Sequence, residues 1–406
     1  MSPKNRKTVS RLLLALLLPM LLSGCWERQE LNEMAFVLGM GLDKAESGYK
    51  VTLQVVIPSA IASQAAGGSG GGVPVVVSSF TVPTIYEAQR KYSLESARAS
   101  YYGHIRILVI GEELARAGIG EVLDMLKRSR EPRNDFYAMV AKGTTAEDVL
   151  KVLTPLEKLP ASKLYNSLDK SYKASAKTVA VPLNQFIEDL LYEGKNPVLT
   201  GVKMSSSVSE GEKKSNLEDS SPPVRLRYSN IAVFRKDKMI GWLSDNETIG
   251  YNYVTNNVVK SSGPVAGDDG RPIVIEALQT DTKRKVKFID GEPHIYIHVK
   301  ALCNVEEVMS NDNLEAVRVI KELERKSEEK IIFRMKTAVE QIKERYNVDS
   351  MGFGQSIYRA NPKAWARLQR EKGDNYLKSL PVHYKASVTI NRIGITDKSF
   401  LQDIKE

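Results

Sequence analysis

"HIRILVIG", residues 104–111, is apolar at nearly every residue after Arg106. A strand with one wet face alternates apolar and polar side chains. An unbroken apolar run this short implies a strand covered on both faces. "FYAMVAKG", 136–143, reads as a second central strand. Two such strands call for helices on either side of the sheet, and the neighbouring sequence supplies them. Ile119 to Lys127 carries Val122, Leu123 and Leu126 on one stripe. Thr84 stands three before Glu87, and Thr144 three before Glu147, the spacing of a capping box. Helices are therefore expected from Thr84 to about Ala99 and from Thr144 to about Leu153. Pro182 to Tyr192 gives another, with Phe186, Ile187, Leu190 and Leu191 facing inward.

Upstream, "AFVLGMGLD" (35–43) and "YKVTLQVVI" (49–57) read as a hairpin turning at Lys44 to Gly48. "ASQAAGGSGGG" (62–72) has nothing to bury and reads as a loop; "PVVVSSFTV" follows as a strand. Strands and helices alternate up to about residue 195, which defines an α/β or α+β domain over 25–195.

"SSSVSEGEKKSNLEDSSPP" (205–223) reads as a long polar loop. Residues 224–243 form a hairpin turning at Lys236 to Lys238, and Ser244 with Glu247 caps a short helix. These elements are expected to make a small middle domain, 196–265. "SSGPVAGDDGRP" (261–272) reads as a break. Strands are expected at 273–281, 284–289 and 294–305, with Ile295, Ile297, Val299 and Cys303 on one face. A long amphipathic helix then runs from caps at Ser310 to Asp312 to about Tyr346. Leu314, Val317, Ile320, Ile331, Met335, Val339 and Ile342 line its apolar stripe. A short helix starts near Pro362, and "VHYKASVTINRIGI" is the closing strand. This makes a C-terminal α+β domain, 266–400, with the long helix laid on a mostly antiparallel sheet. The fold class is α+β, multi-domain.

The N-terminus is a different kind of segment. Lys4, Arg6, Lys7 and Arg11 precede an apolar run, Leu12 to Leu22, interrupted only by Pro19. That run is about half of what a membrane-spanning helix needs. The layout is that of a secretory signal, but no A-x-A-like site ends it. Leu22-Ser23-Gly24-Cys25 instead resembles the lipobox of bacterial lipoproteins. That resemblance implies cleavage after residue 24 and a diacylglycerol on the Cys25 sulfur, with N-acylation of the new terminus. Two acyl chains suffice for stable anchoring, at about 0.8 kcal/mol per buried methylene.

Removal of 24 residues from the 406 leaves 382, more than one ordinary core. Four of the nine net positive charges leave with the signal, and the remaining +5 or so suits a protein beside anionic lipid. No basic stripe with interleaved aromatics points to nucleic acid. With Cys25 acylated, Cys303 has no disulfide partner and reads as a small core residue.

Catalytic motifs fail on context. Gly67-x-Ser69-x-Gly71 lies in a small-residue tract, not between a strand and a helix. Ser167-x-x-Lys170 and Ser244-Asp245-Asn246 resemble two motifs of penicillin-binding enzymes, but the third motif is absent and Asn166 to Ala174 is polar. Of the histidines 104, 294, 298 and 383, the pair His294 and His298 stands about 13 Å apart along one strand face, too far to share a metal. "TKRKVK" (282–287) is the densest basic cluster and reads as a charged strand edge before a lipid-headgroup site. No enzyme activity, metal or other cofactor is expected.

Several motifs together resemble a known family. Cys25-Trp26-Glu27-Arg28, Glu30-Leu31-Asn32 and "AFVLGMGLDK" look like the start of the Ger(x)C family, the C-subunit lipoproteins of spore germinant receptors. "GFGQSIYRANPKAWARL" (352–368) and "VTINRIGI" resemble its C-terminal motifs. The segment Glu371 to Asn375 lacks a tryptophan the family has there. The resemblance implies three mixed α/β domains without a catalytic site. It also implies a place on the extracytoplasmic face of the spore inner membrane, and work with membrane-embedded A and B subunits. On the residues themselves, Gly352 and Gly354 bracket Phe353 as a helix stop with a buried plug. Trp365 is expected to pack the short helix onto the sheet, and these four are the motif residues with a possible partner role. A lipid-anchored ligand-binding protein serving a transporter is the alternative; it would need two similar lobes, and the two halves differ.

Overall fold

The computed structural model describes residues 33–65, 72–133 and 135–392. The lipobox Leu22 to Cys25, the Gly67 to Gly71 motif and the last residues of "VTINRIGI" lie outside the described residues.

The N-terminal sheet is built on β1 (Met34–Lys44), β2 (Tyr49–Val56), β3 (Val75–Val82), β4 (Ala99–Tyr101), β5 (Ile107–Gly111) and β6 (Tyr137–Ala141). It continues through β7 (Val198–Met204), β8 (Leu226–Arg235) and β9 (Lys238–Trp242) in the order β3-β2-β1-β5-β6-β7-β8-β9, with β4 on β1. The centre, β1-β5-β6-β7, is parallel, and the flanking pairs are antiparallel. Ile107 and Val109 belong to one core and Leu108 and Ile110 to the other, so the two-faced burial expected from the apolar run is observed.

Helices α1 (Pro58–Ala65), α2 (Ile85–Glu95), α3 (Glu112–Ala117), α4 (Gly120–Arg128), α5 (Ala146–Lys151), α6 (Pro160–Ser175) and α7 (Leu183–Leu191) punctuate this half. Residues from α2, α3, α4 and α7 build one core, and α5 and α6 the other. Helix α6 is not anticipated by the sequence reading. Its apolar stripe is narrow (Ala161, Leu164, Leu168), and its first turn is held from far away. The Gln54 amide accepts from Ala161 N–H at 2.9 Å and donates to Leu150 O at 2.7 Å.

Residues 196–265 do not make a sheet of their own. β7, β8 and β9 extend the N-terminal sheet, whereas β10 (Ser261–Ala266), where a break is expected, starts the C-terminal one. β7 is drawn in because it pairs in parallel with β6, a partner no local pattern reveals. The 205–223 segment contains two single-turn helices, α8 (Val208–Gly211) and α9 (Ser215–Glu218). Buried Asn216 pins them by donating to Leu153 O and Val224 O and accepting from Val224 N–H.

The second sheet is β10-β11-β12-β13, with β11 (Pro272–Ile289), β12 (Glu292–Val308) and β13 (Val382–Arg392). β11 is one long strand with an irregularity between Ala277 and Gln279, where two were expected. β13 runs parallel to β12, and the other pairings are antiparallel. Helix α10 (Asp245–Val254) opens with the capping box of Ser244 and Glu247. α11 (Val317–Glu340) is extended by a π-helical turn to Tyr346. Helices α12 (Phe353–Ala360), α13 (Pro362–Lys372) and α14 (Tyr376–Ser379) precede β13.

Other expectations shift in detail. Thr84 makes no cap to the backbone; its hydroxyl meets the Glu87 carboxylate instead, and α2 stops at Glu95. Thr145, not Thr144, caps α5, because Asp43 from β1 already accepts from Ala146 and Glu147 N–H. Leu191 and Val317 are exposed; each sits at a helix end, where the core stripe has run out.

Candidate functional site

The motif "GFGQSIYRANPKAWARL" folds into the joint between the two sheets. After the π-helical turn the chain reverses at Asn347, in the left-handed region, so Asn347 and not Gly352 ends the long helix. Asp349 then enters the interior. Its Oδ1 accepts from the N–H groups of Met351, Gly352 and Phe353 at 3.1, 2.7 and 3.1 Å. Its Oδ2 accepts from Gly354 N–H at 2.6 Å and from the Tyr376 hydroxyl at 2.7 Å. Burial pushes the carboxyl up from the usual carboxylate range, and the donors pull it back. Half-buried Arg284, which donates to Met351 O at 2.5 Å, supplies a nearby positive charge.

The sequence-predicted motif residues meet here. Gly352 adopts φ of +73° and starts α12, where a side chain is disfavoured. Gly354 has no such backbone demand. A Cβ there would lie 2.5 Å from the Trp365 ring, 2.5 Å from the Tyr376 hydroxyl and 2.7 Å from Gly194 Cα, so close approach explains it. Phe353 is fully buried, as its plug role requires. Trp365 packs edge-on to Tyr376 and donates to Glu193 at 3.1 Å, so it locks α13 to α12 and to the 193–194 turn rather than to a sheet.

That turn belongs to the N-terminal half. Gln355 N–H donates to Gly194 O at 3.1 Å, and Asn196 N–H to Asp349 O at 2.7 Å. Tyr346 donates to Trp242 O at 2.8 Å, and Arg235 to Tyr346 O at 2.7 Å. One carboxylate thus shapes a turn whose outer surface binds the other half. Sequence reading missed Asp349, Tyr376 and Glu193. The local signal was weak, because Asp349 stands three residues before Gly352, which is the N-cap of α12 and the usual place for a side-chain acceptor. Tyr376 directly follows the segment where the family's tryptophan was missed.

This arrangement offers little chemistry. Both carboxylate oxygens are engaged by donors, so the group is taken up in holding the turn. Ser167 donates to Lys163 O at 2.6 Å and contacts the Tyr228 hydroxyl, while Ser244 is a helix cap. Cys303 is buried and its thiol is pushed up to about 12 by desolvation. His294 meets His383 at 3.1 Å, not His298, which contacts Ser387. Among the described residues no three His, Cys, Asp or Glu side chains gather as a metal site. Nor is any described helix long and apolar enough to cross a membrane. A cavity of about 410 Å³ opens between α2 and α4, floored by Met40, Val51 and Leu53 and rimmed by Tyr86, Arg128 and Glu131.

Two dissimilar sheets joined by a hydrogen-bonded turn define a multi-domain α+β protein whose architecture centres on a joint. Comparison with known proteins gives the class a name. Residues 27–204 match the spore germination protein N-terminal domain, and residues 229–394 match the spore germination B3/GerAC-like C-terminal domain. Spore germination protein KC of Bacillus subtilis (strain 168) is 29% identical over 97% of this chain and 98% of its own length. Spore germination protein B3 of the same organism is 24% identical over 97% and 100%. The crystal structure of the GerBC protein superposes with a TM-score of 0.55 at 20% identity, covering 90% of this chain and 99% of that one. The chain belongs to the Ger(x)C family of spore germination proteins.

Proposed function

We propose that this protein is the lipid-anchored, non-enzymatic C subunit of a nutrient germinant receptor. It sits on the extracytoplasmic face of the spore inner membrane and works by contact with membrane-embedded A and B subunits. The observation that carries the reading is the end-to-end match to a spore germination protein, with both family domains in order. The sequence Leu22-Ser23-Gly24-Cys25 supplies the anchor, a diacylglycerol thioether at Cys25 with an acylated terminus. The joint fits a scaffold: its polar groups are consumed in holding two halves together.

Mass spectrometry of the mature protein should find Cys25 as the acylated first residue. Cys25→Ala should leave the membrane fraction and slow germination, and the native protein should co-purify with two polytopic subunits. Membrane retention of Cys25→Ala without any lipid label would overturn the anchor. The cavity between α2 and α4 favours a second reading, a ligand-binding protein serving a transporter, since its volume suits a small solute. Saturable nutrient binding to the isolated protein, lost when Met125, which lines the cavity, is changed by Met125→Trp, would select that reading.

A further inference from the structure

The C-terminal sheet has one face under α11 and one face open. On the covered face Ile295, Ile297, Val299 and Cys303 enter the core, and Glu328 and Glu324 of α11 accept from Val388 and Ile390 N–H. Strand alternation sends the intervening residues to the other side. There the register sets Lys283 beside His298, Lys285 beside Tyr296 and Lys300 across from Asp281 on β11 and β12. The parallel pairing continues the row by setting His298 beside Lys385 of β13. The "TKRKVK" cluster is therefore one edge of a basic field that spans three strands.

Lys283, Lys285, Lys287, Lys300 and Lys385 are all exposed. None has a carboxylate partner within ion-pair distance among the described residues, and Asp281 is the acid interleaved with them. The other acids of the same face lie toward the strand ends: Glu276 and Glu306 at one, and Glu292, which pairs with Arg367 and Lys372, at the other. Aromatic rings stack side by side between the lysines. Tyr296 stacks on His383 at 4.4 Å, His383 stacks on His294, and Lys287 lies 4.8 Å over the Tyr296 ring. The field of the lysines reaches His298, whose pKa is lowered first by burial and then by Lys385, Lys300 and Lys283.

We infer that this open face of β11-β12-β13 docks on an anionic bilayer surface and sets the orientation of the protein on it. The field spans about 13 Å along the strands and about 10 Å across. Its charges are lysines, compact and mobile, which suit a fluid array of headgroups; arginine would suit fixed bidentate recognition. Charge complementarity commits the face to lipid, and the inference goes beyond the anchor, which holds the protein near a membrane without orienting it.

The full lipidated chain, reconstituted on vesicles, tests this by amine acetylation read by mass spectrometry. On vesicles with about 30 mol % phosphatidylglycerol, labelling of Lys283, Lys285 and Lys300 should fall by about fivefold or more relative to phosphatidylcholine vesicles. At about 0.5 M salt the protection should vanish. Lys321, exposed on α11 behind the opposite face, should label equally on both. K283E/K285E/K300E, all surface changes, should fold and lose the preference for anionic vesicles. Equal labelling on the two vesicle types overturns the inference. Protection seen only in native spore membranes, and absent on lipid alone, assigns the face to a protein and also overturns it. Failure of the anchor reading is separate: the protein would then leave neutral vesicles altogether.

Discussion

In the N-terminal sheet Ile107, Leu108, Val109 and Ile110 are all buried; in the C-terminal sheet every second residue of β12 from His294 to Lys300 reaches solvent. The first sheet spends both faces on its own stability. The second spends one, and the side chains of the other are free to differ in charge without cost to the core. The proposed subunit role needs both: a rigid body and a surface that meets something else. The joint at Asp349 ties them together, and the sharpest test of the contrast is to remove it. Asp349→Ala leaves four amides and a phenol without an acceptor in a dry interior. We expect a loss of about 3–5 kcal/mol. Calorimetry should show the two halves melting separately, and a single cooperative transition at nearly unchanged temperature would refute the joint.

The next test compares neighbours along one strand. Ile107→Ala and Leu108→Ala, on opposite faces of β5, should each cost about 2–5 kcal/mol in urea unfolding, because each empties a different core. On β12, Ile297→Ala should cost as much, while adjacent His298→Ala should stay within about 0.5 kcal/mol. If His298→Ala proved as costly as Ile297→Ala, the open face would be structural after all.

Helix caps give a smaller contrast. Thr84 and Ser244 have the same spacing to a glutamate, yet only Ser244 completes the reciprocal bonds. Ser244→Ala should lose about 1 kcal/mol, and Thr84→Ala no more than a few tenths, both by denaturant titration. Spacing alone cannot separate these cases, because capping depends on where the entering chain is held.

That is the general pattern of what could be read from the residues. Continuous apolar runs announced β5 and β6, and alternation announced the covered face of β12, because burial writes itself into neighbouring positions. Phe353 and Trp365 were legible as buried anchors by their size. Long-range acceptors were not: Gln54 holding α6, Asp43 holding α5, and Asp349 holding the 351–354 turn act from other elements or from inside a short turn. The middle segment was misplaced for the same reason, since pairing of β7 with β6 has no local signature. The basic field on the open face was half legible, as "TKRKVK", until the register of β12 and β13 added the rest.

Lys163 allows the smallest and most specific test, because it is a lysine caught on the covered side of the comparison. Its ammonium donates to Leu226 O at 2.9 Å and lies 5.9 Å from the Tyr228 ring centroid. Burial pushes its pKa down to about 8. In the unfolded chain it titrates at about 10.4, so between about pH 8 and 10.4 the unfolded state binds more protons than the folded one. Stability then rises with pH across that window, and the cost of burying the charge is fully present below pH 8. Lys163→Met removes the titrating group. Its stability relative to the native protein, measured by urea unfolding at pH 7.5 and pH 10, should be higher at the lower pH and should converge toward the native value at the higher one. Other groups that titrate in this range are common to both proteins and cancel in the difference. A difference that stayed constant with pH would mean that the lysine keeps its charge against the solvent, and that the face between α6 and β8 is more open than its packing implies.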